Sequence, residues 1–392
     1  MEEKDICPIV FVHGLGGWGA DAAINRVLPY WGMRSGDIMK ELGRRGFECY
    51  AASVGPASSA WDRACELYAQ LAGGRVDYGA AHAAAHSHAR FGRTYARPLV
   101  PGWADGRKIH LVGHSFGGAT IRLFVQLLEK GSAEERNATQ RCSLSPLFGG
   151  LLNGHVFSVT TLGAPHNGST AFEPQVGCYK DMQTMLSCLA YAVHVLPGAC
   201  LIYPFRLEHL GISRARVRHA PWRIVRLIGA FNGIADSAKT DLTVDGAAAL
   251  NKAILCQPGI YYFSYAACST QDDDRGNQIS PYVDLATLRK CAAAMGLRRP
   301  PYCTAGGIPI DDAWLPNDGQ VSVISALHPF NEPHQDYDPA ALCPGVWQVM
   351  PIIEGRDHAD LIGGMRLWGG CPDTLEFYVS LAEMLEGIQI LA

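Results

Sequence analysis

The feature that most constrains this chain is Gly113-His114-Ser115-Phe116-Gly117, because of what lies on either side of it. Lys108 to Val112 reads as a buried strand. Gly118 to Lys130 reads as a helix whose apolar side carries Ile121, Leu123, Phe124, Leu127 and Leu128. A serine set between small residues at a strand-to-helix junction can occupy a turn too sharp for bulkier neighbours, with its hydroxyl lifted above the sheet edge. Glycine and serine are common, so G-x-S-x-G alone says little. The strand before it and the helix after it make it specific.

A second motif lies upstream. His13-Gly14-Leu15-Gly16-Gly17 directly follows the apolar run Ile9-Val10-Phe11-Val12. A glycine-rich turn after a strand can aim a backbone N–H at a developing oxyanion, and the residue after the serine supplies a second donor. Turn and elbow together predict an α/β fold of the α/β-hydrolase type with a mostly parallel central sheet. The backbone amides of Leu15 and Phe116 are its expected oxyanion hole. Further strands are expected at Phe47–Val54, Val156–Leu162, Gly259–Ala267 and Val346–Ile353, with a closing helix from Asp373 to Ile388.

At 392 residues, 48% apolar and 18% charged, the chain can bury one large core. We read residues 1–392 as a single domain with two elaborations, an insertion over about 55–105 and an excursion over about 167–250. A net charge of −4 excludes a nucleic-acid-sized basic field. The local cluster Arg214, Arg216, Arg218, Arg223 and Arg226 reads as a solvated helix face. The 13 cysteines contain no C-x-x-C, which argues against a redox dithiol or a zinc ribbon. Met1-Glu2-Glu3-Lys4-Asp5 is polar and does not read as a signal peptide.

Met182 to Phe205 lacks Lys, Arg, Asp and Glu over a length that could span a bilayer, but Gln183, Ser187, His194 and Pro197 interrupt it. Met182, Met185, Leu186, Leu189, Val193 and Leu196 recur at helical spacing. The segment therefore reads as an amphipathic lid over an apolar cleft, with no transmembrane span.

An attacking serine needs a base and an acid to orient that base, and in this fold they follow in the order serine, acid, histidine. Asp318, in Asn317-Asp318-Gly319, lies in a turn before Val321-Ser322-Val323-Ile324, where we expect a strand end. His358 lies in a loop after the strand ending near Ile353. The competitors Asp311, Asp312, His328 and His334 read as surface residues. The insertion adds His82, His86 and His88 in a small-residue setting, with Asp62 ahead of them. On helical spacing His82 and His86 are the natural chelating pair.

Residues 58–95 (SSAWDRACELYAQLAGGRVDYGAAHAAAHSHARFGRTY) closely resemble the corresponding segment of the zinc-containing secreted lipases of thermophilic bacilli, relatives of the staphylococcal lipases. Ser145-Pro146-Leu147-Phe148, Ser158-Val159-Thr160-Thr161, Thr240-Asp241-Leu242 and Ile310-Asp311-Asp312-Ala313-Trp314-Leu315 are also similar to stretches of that family. The resemblance implies cleavage of triacylglycerol esters through an acyl-enzyme on Ser115, with His358 and Asp318 completing the triad. It also implies a zinc ion on Asp62, His82, His88 and Asp236. His88 thus replaces His86, so the chain is expected to leave the helix after His86. Four protein ligands and no open position make such a zinc structural.

The partner implied is a lipid or ester substrate at an oil–water interface. Secretion is implied by the family, while the polar N-terminus leaves open a chain made without a signal peptide, which could be cytoplasmic, or a processed form; nothing in the sequence sets the oligomeric state. Three positions depart from the family: Gly113 for its alanine, Phe116 for its glutamine and Leu15 for its phenylalanine. None removes a backbone donor. Asp360 fits the first position of the family's calcium site, but Met365 occupies the second and residues 270–300 have diverged, so the pattern for calcium is incomplete. The alternatives are a carboxylesterase for short soluble esters, with the apolar helix as a fixed roof, and a catalytically idle hydrolase fold acting as a binding module.

Overall fold

The computed structural model describes residues 6–178, 198–206, 208–210, 235–283, 285–364 and 370–391. The expected lid helix from Met182 to Leu196, the arginine cluster from Arg214 to Arg226, the N-terminal Met1–Asp5 and Met365 all lie outside the described residues.

Seven strands form the central sheet: β1 (Ile9–Val12), β2 (Cys49–Ala52), β3 (Ile109–His114), β4 (Val156–Leu162), β5 (Tyr261–Tyr265), β6 (His334–Asp336) and β7 (Trp347–Val349). Their order is β6-β7-β5-β4-β3-β1-β2, and every neighbouring pair is parallel. A parallel sheet is covered on both faces, which is why its inner strands read as near-continuous apolar runs. Alternate residues of β1 feed the two layers: Val10 and Val12 join one core and Ile9 and Phe11 the other.

Helices α1 (Ile38–Arg44) and α5 (Thr374–Leu391) cover one face. Helices α2 (Ala60–Ala72) and α4 (Phe116–Lys130) cover the other, packed side by side, and α3 (Ala80–His86) lies between them in sequence. The segment between β2 and β3 thus contributes a core helix, with Ala60, Ala64, Leu67 and Leu71 buried on α2. It also carries a small antiparallel hairpin, Gly74–Asp77 with Phe91–Tyr95. No helix among the described residues is long and apolar enough to cross a membrane.

Three expected strands are shorter than the sequence suggests: Phe47–Val54 is trimmed at both ends to β2, and two later ones are cut by a departure from the sheet. Val346–Ile353 divides into β7 and a separate Ile353–Glu354, which leaves the sheet to pair with Ala267–Cys268. Pro351 lies at the break, where it has no N–H to offer a ladder. The same departure ends β5 at Tyr265, and both segments bend toward the loops that carry Asp318 and His358.

Candidate active site and metal-binding cluster

Ser115 joins β3 to α4 with φ 56° and ψ −127°, a region that a residue with a side chain occupies only under constraint. The surroundings supply that constraint. A Cβ on Gly117 would lie 2.1 Å from the Val12 carbonyl oxygen, and one on Gly14 would lie 2.8 Å from Ser115 Cβ. Glycine at these positions lets the elbow and the His13–Gly17 turn approach closely enough to share one site. The Ser115 N–H donates to Leu162 O at 2.9 Å, tying the elbow to the end of β4. Phe116 is the first residue of α4, so its N–H is among those that no carbonyl of the helix can accept.

The predicted acid and base are in contact. His358 Nδ1 donates to Asp318 Oδ2 at 2.7 Å, and both side chains are buried. The other carboxylate oxygen, Oδ1, accepts from Gln320 N–H at 2.9 Å and Val321 N–H at 2.7 Å. The His358 N–H donates to Asp318 O at 2.8 Å, so the two loops are also joined through their backbones. Asp318 is not at a strand end, as the sequence suggested. It sits in a turn closed by an Asn317–Ser322 bridge, and Val323–Leu327 beyond it is a short helix. That turn is pinned to the chain beyond β5 by Ser269 N–H to Asn317 O at 3.0 Å, which puts the carboxylate where a strand end would have placed it. A methyl on Gly163, just after β4, would lie 3.3 Å from Asp318 Oδ2 and 3.4 Å from His358 Nδ1. The Asp–His pair therefore packs against the same strand end that holds the Ser115 backbone.

Tyr30 and His114, which the sequence gave no reason to single out, connect these parts. Gly14 N–H donates to Tyr30 Oη at 2.9 Å, Tyr30 Oη lies 2.8 Å from His114 Nδ1, and His114 Nε2 lies 3.1 Å from His358 O. The carbonyl can only accept, so His114 carries its proton on Nε2 and Tyr30 donates to Nδ1. Burial, followed by the nearby His358 charge, pushes the His114 value well below the ordinary histidine range and keeps this neutral tautomer.

A separate cluster gathers Asp62, His82, His88 and Asp236, with one ligand atom from each all within 4.8 Å of one another. Asp62 comes from the first turn of α2, His82 from α3, and His88 from beyond its end. Ser87 adopts φ 57° and stops the helix at His86. This turn brings His88 inward and leaves His86 exposed, outside the cluster, so helical spacing chose the wrong second histidine. Glu135 fixes α3 by accepting from the N–H groups of Ala81 at 3.0 Å and His82 at 2.7 Å. The Trp61 ring stacks on His82 at 5.0 Å.

The donor set suits a dication. His82 Nε2 lies 3.4 Å from Asp62 Oδ1 and 3.0 Å from Asp236 Oδ2, and His88 Nε2 lies 3.9 Å and 3.3 Å from the same atoms. Tetrahedral ligands at about 2.0–2.2 Å from a metal are separated by about 3.3–3.6 Å. Asp62 Oδ1 and His88 Nε2 are buried without a hydrogen-bond partner. His88 Nδ1 lies 3.0 Å from Ala89 O and donates to it, which leaves the Nε2 lone pair turned inward. Without an ion, burial depresses the His82 value, but the hydrogen bond to Asp236 and the adjacent Asp62 carboxylate outweigh it and raise the value to about 9. Burial raises Asp236, and the hydrogen bond and charge of the adjacent His82 outweigh it to hold the carboxyl well below its ordinary range. Two buried carboxylates thus draw in positive charge, which a divalent ion would supply.

One further member was invisible in the sequence. His209 Nε2 lies 2.7 Å from Asp62 Oδ2, and His209 O accepts from Ala89 N–H at 3.1 Å. A lone histidine in Glu208-His209-Leu210 carries no spacing signal. It turns the second oxygen of Asp62 away from the cluster, as outer partners of metal ligands do.

A parallel sheet carrying a serine on a constrained strand-to-helix turn, with an Asp–His pair on later loops beside it, defines an α/β-hydrolase. The chain belongs to the family of lipase-like C-terminal domains, whose model matches residues 5–385. It is 37% identical over 366 residues to Lipase 2 of Staphylococcus aureus, covering 91% of this chain and 50% of that protein. The chain thus spans about half the length of the curated relatives it matches. Among solved structures it is similar to Staphylococcus hyicus lipase, with a TM-score of 0.83, 32% identity and coverage of 99% of this chain and 97% of that one. It is also similar to lipase 1 from Pelosinus fermentans, with a TM-score of 0.79, 36% identity and coverage of 97% and 98%.

Proposed function

We propose that this chain hydrolyses carboxylic esters of triacylglycerols by a Ser-His-Asp acyl-enzyme mechanism. The observation that carries the reading is the buried Asp318–His358 pair at 2.7 Å, packed on the strand end that also holds the constrained Ser115. His358 Nε2 takes the Ser115 Oγ proton as that oxygen attacks the ester carbonyl, and Asp318 holds the imidazole in the required tautomer. The Leu15 and Phe116 amides stabilise the tetrahedral oxyanion. Its collapse expels the alcohol, which takes the proton back from His358. A water activated by the same imidazole then releases the fatty acid.

In the same reading Asp62, His82, His88 and Asp236 hold a structural zinc: two imidazoles, two carboxylates and no fifth donor in the group. A bound zinc would supply fixed charge and cross-linking, with the reaction carried elsewhere. Calcium is left out of this reading, since Met365 stands at the second calcium position and the pattern for that ion is incomplete. We place the chain as one domain, with 55–105 contributing metal ligands and 167–250 covering the site, in a secreted protein working at an oil–water interface.

A described part of that cover supports a second reading. Tyr203 Oη donates to Gly16 O at 2.9 Å, and Tyr203 and Phe205 pack on Ala57, Leu15 and Trp18 above the oxyanion turn. Arg206 Nη2 is paired with Asp21 at 2.6 Å. A cover pinned in this way suits a fixed roof and a short-chain esterase. Hydrolysis of emulsified long-chain triacylglycerol, set against a soluble short-chain ester and with Ser115→Ala as control, separates the readings. Turnover of the emulsion that disappears in the variant is the expected result. Turnover of the short ester alone assigns a carboxylesterase, and turnover of neither assigns an idle binding module.

A further inference from the structure

Arg63 has a fully buried side chain, and among the described residues no carboxylate lies within ion-pair distance of it. Burying a guanidinium against neutral partners is costly unless its donors are well used. Here they converge on two backbone segments. Nη2 donates to His13 O in a short contact, and Nη1 donates to Gly55 O at 3.0 Å and, more distantly, to Gly14 O at 3.4 Å. Nε donates to Thr120 Oγ1 at 2.8 Å, and the Thr120 hydroxyl donates to Phe116 O at 3.1 Å. The guanidinium carbon also sits 4.9 Å from the centre of the Phe116 ring.

These partners frame the two proposed oxyanion donors. In a trans peptide the C=O of one residue and the N–H of the next point in opposite directions. Gly14 C=O and Leu15 N–H belong to one peptide plane. The Gly14 carbonyl is held by Gly17 N–H at 3.1 Å, by His13 Nδ1 at 2.9 Å and by Arg63, so the Leu15 N–H is aimed the other way. On the other side Arg63 holds Phe116 twice, through its ring and through Thr120. One side chain therefore fixes both halves of a site that otherwise come from separate strands.

We infer that Arg63 is a positioning residue that aligns the Leu15 and Phe116 amides toward the developing oxyanion. This rests on the ester-hydrolase reading above. It predicts a selective defect, because an oxyanion hole serves a carbonyl oxygen well and a thiocarbonyl sulfur poorly. Arg63→Gln and Arg63→Lys are compared with the native chain on a soluble short-chain ester and on the matching thionoester. Rates are normalised to the serines labelled at the end point of a phosphonate titration, which counts folded sites and sets aside any folding loss.

The expected result for Arg63→Gln is a fall of about 10²-fold in kcat per labelled serine on the ester, with KM little changed and the thionoester rate nearly unaffected. Lysine, which keeps the charge but not the fork, should recover part of the loss. Equal falls on ester and thionoester, or native kcat per labelled serine, would overturn the inference; should the glutamine variant not fold, the lysine variant decides on the same comparison. A native chain that neither labels nor hydrolyses the ester overturns the enzymatic reading itself, which is a different failure.

Discussion

The two histidine–aspartate clusters of this molecule differ in how completely the protein satisfies them. Around Asp318 and His358 the chain supplies the partners: Asp318 Oδ2 takes the imidazole, Oδ1 takes two backbone N–H groups, and the histidine's own carbonyl is met by His114. Around Asp62 and His88 it does not, since Asp62 Oδ1 and His88 Nε2 are buried with no hydrogen bond. A closed network of this kind orients one imidazole without outside help. An open one gathers two buried carboxylates and unpartnered inward-facing atoms, an arrangement that suits a cation. The same residue types thus serve two ends, and hydrogen-bond bookkeeping tells them apart where residue type does not.

The largest effect that tests this contrast is on the closed cluster. Asp318→Asn keeps an oxygen for the Gln320 and Val321 amides but turns an amide group toward His358, favouring the wrong imidazole tautomer. Steady-state kinetics on a soluble ester should show kcat lower by about 10⁴-fold, with the melting temperature little changed. A fall of less than tenfold would break the assignment of Asp318. Next comes the open cluster, where the effect should appear in stability instead. Chelation should lower the melting temperature by more than about 5 °C, with zinc restoring it and magnesium failing to. At low temperature the metal-free chain should keep most of its ester turnover. An unchanged melting temperature in verified metal-free protein would mean that the four residues form only an ion-pair network.

The closed cluster was legible in the sequence and the open one only partly so, for physical reasons. The elbow is local: a buried parallel strand, small residues at a tight turn and an amphipathic helix are adjacent in the chain. Chain order then left few choices for the acid and base. The histidine set depends on Ser87 adopting a left-handed conformation, which spacing within a helix cannot foretell, and the choice of His88 over His86 came from the resemblance alone. His209 reaches Asp62 across 147 residues, and Arg63 acts on carbonyls of β1's following turn. Neither leaves a pattern along the chain. The late strand was overextended because its apolar run continues through Pro351, which ends the pairing without ending the hydrophobicity.

Beside the closed cluster, but not a member of it, one residue carries a charge that burial opposes. Asp357 precedes the base, and its Oδ1 accepts from the Ala359 and Asp360 amides, both at 2.9 Å. Burial, and after it the neighbouring Asp360 charge, raises its value from 3.8 to about 6. A folded value above the ordinary one means that the folded chain holds this proton more tightly than the unfolded chain does. The stabilising contribution is therefore complete below about pH 4 and lost as the pH rises through about 6. Asp357→Asn keeps the accepting oxygen and removes the charge. At pH 7 it should stabilise the protein by about 1–3 kcal/mol, and at pH 4 the two chains should unfold alike. Denaturant melts at the two pH values decide it. Stabilisation of the same size at both would show that the charge on Asp357 is compensated in the fold.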